Sequence, residues 1–100
     1  MVLPLEVYCG SFKPILKLLQ INISSVDHLH VQATLITDKF SCDEEYQFDK
    51  TTSQILLQDD TCVEDALDKY NIYDFELDYI NTSDTLLAET SQGTIKLKPC

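Results

Sequence analysis

From Tyr73 to Asp78 apolar and acidic side chains alternate without a break: Tyr73, Phe75 and Leu77 on one parity, Asp74, Glu76 and Asp78 on the other. A repeat of two belongs to a β-strand, whose successive side chains leave opposite faces, so this stretch predicts an aromatic inner face and an anionic outer one. The same repeat recurs in "VLPLEVYCG" (2–10), in "HLHVQATLIT" (28–37) and around Ile95 and Leu97. In the first of these Pro4 points to an edge or a strand start, and Gly10 with Ser11 closes the run. The apolar residues of "PILKLLQINIS" (14–24) fit a buried strand and also a short helix after Pro14; the β-branched end favours a strand that makes a hairpin with 28–37, and "SQILLQ" (53–58) reads as a further strand. "DKFSCDEEYQFDKTT" (38–52) reads as a polar connection holding a short strand near Tyr46 to Phe48, and "TLLAE" (85–89) as a brief apolar step.

One segment breaks the period of two. Val63, Ala66, Leu67 and Tyr70 fall at i, i+3, i+4 and i+7, the stripe of a helix with one buried side. Asp59 and Asp60 stop the preceding strand. Thr61 stands three residues before Glu64, the spacing of a capping box, and Asn71 is placed to end the helix.

The charge is regional. The chain carries −10 overall, and residues 38–78 hold thirteen acids and three lysines, so this region accounts for the whole imbalance. All seven basic residues are lysines, which removes the bidentate fork of arginine and makes nucleic acid an unsuitable ligand. The lysine pair Lys96 and Lys98 would lie beside the acidic strand if the two strands pair. One hundred residues, 44% of them hydrophobic, make one domain over residues 1–100 with a usable core. No apolar run is long enough to cross a bilayer as a helix, so no membrane insertion is expected.

Cys9, Cys42, Cys62 and Cys100 match no CxxC metal or redox spacing, and two disulfides with three possible connectivities stay open. Asn22-Ile23-Ser24 and Asn81-Thr82-Ser83 are glycosylation triplets. The opening residues lack the basic and apolar regions of a signal peptide, so the expected setting is cytoplasmic, with an extracellular one as the alternative. The only histidines, His28 and His30, share one strand face and offer two metal ligands with no identifiable third. A nucleophile beside one of them would need Cys42 or Cys62 nearby in space. Asp74, Glu76 and Asp78 alternate about 7 Å apart along a strand, too far to close on one calcium ion. No catalytic residue, metal or cofactor is expected, and the chain is not expected to be an enzyme.

Strands, a connection, one helix and further strands form the order of a β-grasp, and "ILLQDDTCVEDALDKYNI" (55–72) resembles ubiquitin-like domains of the Ras-association and Ras-binding branch. "DFELDYINTSDTLLAE" (74–89) and "GTIKLKP" (93–99) resemble the later strands of that superfamily. The resemblance implies an α+β fold, a mixed or mostly antiparallel sheet with one main helix packed across it, and a role in protein docking. The carboxyl end "LKPC" lacks the Gly-Gly of a conjugated modifier, and two early lysines are few for binding a GTPase. The expected function is a non-enzymatic interaction module of a larger signalling or scaffold protein. Glu64, Asp65, Asp68, Asp74, Glu76 and Asp78 would face another protein with a basic surface. The alternative is an extracellular or viral binding domain held by disulfides.

Overall fold

The computed structural model describes residues 3–59 and 61–100. Eight strands follow one another in an antiparallel meander that closes on itself. In order they are β1 (Val7–Phe12), β2 (Leu16–Ile23), β3 (His28–Leu35), β4 (Lys39–Asp49), β5 (Gln54–Leu57), β6 (Glu76–Ile80), β7 (Thr85–Thr90) and β8 (Gly93–Pro99). One helix, α1 (Thr61–Asp68), lies between β5 and β6, and a single 3₁₀ turn at Asn81–Ser83 joins β6 to β7.

This architecture replaces the expected α+β β-grasp, and the ubiquitin-like resemblance with it. The order of elements is as read from the sequence, but two segments taken for connections are strands. Residues 39–49 form the longest strand of the fold, burying Cys42, Glu44 and Tyr46 and exposing Ser41, Asp43, Glu45 and Gln47. Their alternation was masked because one inward residue is an acid. "TLLAE" belongs to β7, which pairs with both β6 and β8. The lysines of β8 therefore lie one strand away from the acids of β6, not beside them. Here the eight strands close into a barrel, which leaves no open sheet face for a helix to cross. Eight helical residues span only about 12 Å, enough to cover one gap.

That gap arises from β4. Its first part, Lys39 to Glu45, pairs with β3, and its second part, Tyr46 to Asp49, pairs with β5. No strand of the described residues lies on the outer side of the first part, and α1 fills that space. Val63 and Leu67 are buried and meet Leu16, Leu19, Phe40 and Phe75, leaving an internal gap of about 10 Å³, which is at most one water. Ala66 and Tyr70 are half-buried, so the predicted stripe is the inner face of the helix. Asn71 ends it as expected: φ is 59°, and the Asn71 and Ile72 amides donate to the Asp68 and Leu67 carbonyls, a Schellman closure. At the other end Asp59 accepts hydrogen bonds from both the amide and the hydroxyl of Thr61, at 3.1 and 2.6 Å, which satisfies one of the first amides of the helix. Asp60 and Val2, invoked above, lie outside the described residues.

β1 also runs on where a break was expected. Gly10 continues the strand because its bare Cα lets β1 approach β8: a Cβ there would stand 2.6 Å from the Lys96 carbonyl oxygen. The inward residue of this strand is Tyr8, fully buried, and not the Val7 and Cys9 parity. The Tyr8 and Tyr79 hydroxyls both donate to Asp84 Oδ1, at 2.7 and 2.9 Å, tying β1, β6 and the 3₁₀ turn together. These donors, Tyr8 foremost, hold the Asp84 carboxyl below its usual range. Burial, then the bond to Asp84, pushes the Tyr8 phenol well above its own.

All four cysteines are paired. Cys9–Cys100 lies beside the β1–β8 ladder, which has only two register pairs, and Cys42–Cys62 ties α1 to β4. Loops of 91 and 20 residues closed in the unfolded chain correspond to about 4.6 and 3 kcal/mol of stabilisation in the chain-entropy account. Two disulfides in so small a domain fit an oxidising setting.

Candidate functional site

The β5–β6 seam, like the β1–β8 seam, is one of the two shortest ladders of the barrel. Only Gln54 with Asp78 and Ile55 with Leu77 pair across it, and the Tyr79 amide donates to the Ser53 carbonyl just below. In an antiparallel ladder every second residue turns its amide and carbonyl to the same neighbour. Residues 53 and 55 face β6, so Leu57 does as well, and its partner by register would be Phe75. No such pair forms among the described residues. Asp74, at φ 58°, turns the chain in the left-handed region just before β6 begins and carries it away from β5.

A groove follows this split. Its larger part, about 350 Å³, runs over Leu56, Leu57 and Phe75 beside Glu76. Its second part, about 270 Å³, lies between the C-terminal half of α1 and the chain leading to β6, over Leu67, Ile72 and Tyr73 with Asp65 and Asp68 at the rim. Glu64, Asp74 and Phe75 line both parts and join them. Leu56 and Tyr73 are each more than two-fifths exposed, so the floor is apolar and accessible.

The structure thus brings five of the six predicted acids, Glu64, Asp65, Asp68, Asp74 and Glu76, around one groove, and none of its lining residues is basic. Asp78 is half-buried on the outer side of β6, opposite Gln54 and Leu87, and lies outside the groove. Leu56 and Leu57 were not anticipated as floor residues. Their strand was visible in the sequence, but the failure of its ladder was not.

The remaining chemical groups sit elsewhere. No cysteine is free, so the Cys/His pairing considered above has no thiol to use. Cys42, Glu44 and Cys62 place donor atoms within 4.8 Å of one another, but the two sulfurs are bonded together and are not thiolate ligands in this state. Asn22 and Asn81 are both exposed. No helix among the described residues is long and apolar enough to cross a membrane. Family models, curated proteins and solved structures give no match to this chain.

Proposed function

We propose that this chain is a non-enzymatic binding domain, stabilised by disulfides for an extracellular setting, that docks a basic segment of another protein in the groove between α1 and β6. The observation that carries the reading is the combination at one place: five carboxylates, an apolar floor and a split seam. Carboxylates alone would be a solvated face. Here they rim accessible leucine and aromatic surface, which a lysine or arginine side chain covers with its stem while its charge reaches the rim. The outward faces of the strands carry acids and lysines around a packed interior, which supports a soluble role over membrane insertion.

The test is kinetic. An acetylated octapeptide alternating lysine and valine is passed over the immobilised, oxidised chain at several salt concentrations. Replacing Asp65, Asp68, Asp74 and Glu76 together by Asn and Gln should slow association several-fold at low salt and flatten its salt dependence. Equal rates and equal salt slopes for both proteins would remove the proposal.

A further inference from the structure

The two glycosylation triplets of the chain occupy different kinds of structure. Asn22 lies inside β2, paired with Val7 on one side and His30 on the other, so its backbone is held in two ladders. The hydroxyl that completes its triplet, on Ser24, donates to the His28 carbonyl at 3.1 Å. Asn81 instead opens the 3₁₀ turn between β6 and β7, and Asn81, Thr82 and Ser83 are all exposed. Ser83 engages through its carbonyl, which accepts the Thr85 hydroxyl at 3.0 Å. Among the described residues neither the Ser83 hydroxyl nor the Asn81 side-chain amide has a hydrogen-bond partner. The turn itself is anchored. Asp84, at φ 48°, closes it, its amide donating to the Asn81 carbonyl and its carboxylate accepting from Tyr8 and Tyr79. The second triplet thus stands out from the barrel with both of its chemical groups free.

We infer that Asn81 is an N-glycan attachment site, used in preference to Asn22. The inference rests on the extracellular setting proposed above, which the two disulfides fit. The co-substrate is an oligosaccharide carried on a lipid diphosphate. The Asn81 amide nitrogen bonds to the anomeric carbon of the sugar, the bond from that carbon to the diphosphate oxygen breaks, and the departing lipid diphosphate takes up the proton the amide gives up. A transferase must hold the asparagine amide and the hydroxyl of the third residue together in its own site, which a surface turn permits. Presenting Asn22 in that way would cost the ladder bonds on both sides of β2. The position also suits a folded chain that docks a partner. Asn81 stands five positions beyond Glu76, at the opposite end of β6. An extended strand places them about 16 Å apart. None of the three triplet residues lines the acidic groove, so a glycan here leaves the groove open.

The experiment maps glycans on the full chain expressed in animal cells behind a cleavable secretion signal. Protein is recovered from the secretory compartments and from the medium, treated with peptide-N-glycosidase in heavy-oxygen water and digested. Each asparagine that carried a glycan is then read by mass spectrometry as a labelled aspartate. Asn81 should be labelled in most molecules and Asn22 in several-fold fewer. Ser83→Ala should abolish the label at Asn81 and Ser83→Thr should retain it, while the wild-type map needs no variant to fold. Removing the glycan should leave the affinity for the lysine–valine octapeptide unchanged. An unlabelled Asn81, Asn22 labelled as fully as Asn81, or a several-fold gain in peptide affinity on glycan removal would each overturn the inference. The map itself uses no peptide, and thiol titration of the same material reads the disulfides, so failure of the proposed function and failure of this site are seen apart.

Discussion

Replacing Cys42 and Cys62 together by alanine removes the covalent tie between α1 and β4 while Cys9–Cys100 stays closed. A 20-residue separation corresponds to about 3 kcal/mol from the lost constraint on the unfolded chain. Domains of this size are stable by only about 5–15 kcal/mol, so the loss is a large fraction of the total. With a urea slope of about 1–1.5 kcal/mol per M, the midpoint should fall by roughly 2 to 3 M, and the slope should rise slightly because the unfolded state becomes more open. The same change frees α1 to move away from β6. Binding of the lysine–valine octapeptide should therefore weaken in the folded variant, because Glu64, Asp65 and Asp68 no longer stay opposite Asp74 and Glu76. Urea denaturation followed by far-ultraviolet circular dichroism measures the first effect, and fluorescence anisotropy of the labelled peptide the second. A midpoint unchanged within experimental scatter would refute the claim that this bridge holds the helix in its gap.

Other substitutions probe separate parts of the account. Leu67→Ala empties the contact of α1 with the barrel interior and should cost roughly 3 kcal/mol in urea denaturation, since Leu67 is only 2% exposed. Asp74 occupies a left-handed backbone position that Asn and Gly accept and β-branched residues do not. Asp74→Val should therefore destabilise by about 1–2 kcal/mol, while Asp74→Asn stays close to wild type in the same measurement. The Asp84 carboxyl is held below its usual range, first by the Tyr8 hydrogen bond, so its contribution is complete above the ordinary carboxylate pKa of about 4 and fades as pH falls further. Melting temperatures measured from neutral to strongly acidic pH should accordingly converge for wild type and Asp84→Asn at the acid end, with the wild type higher near neutrality.

Local structure was legible where one period dominated. The helix stripe Val63, Ala66, Leu67 and Tyr70 and the strand around Leu77 follow from spacing, because each records which side meets the interior, while the β2–β3 hairpin and the stop at Asn71 needed residue type as well, β-branched side chains in the first and an asparagine in the second. The global fold was not legible, and two residues show why. Glu44 is buried in β4 where the alternation calls for an apolar side chain, so an eleven-residue strand read as a polar linker. Tyr8 faces inward on the parity opposite to the apolar Leu3, Leu5, Val7 and Cys9, which the alternation of the opening strand would put inside. Without β4 and β7 the remaining elements spell strands, helix, strands, which a β-grasp satisfies. The acidic groove was half legible. The carboxylates could be assigned to outer faces, but their meeting depends on where the β5–β6 ladder stops, and that is a property of register and of the backbone turn at Asp74.

The central claim is that a basic segment seats over the split between β5 and β6, and amide NMR tests it most directly. Titrating the oxidised, isotope-labelled chain with the lysine–valine octapeptide at low salt should move the amides of Leu56, Leu57, Asp74, Phe75 and Glu76 together, leaving those of β2 and β3 in place. Shifts concentrated on any other face, or none at peptide concentrations well above the protein, would contradict it.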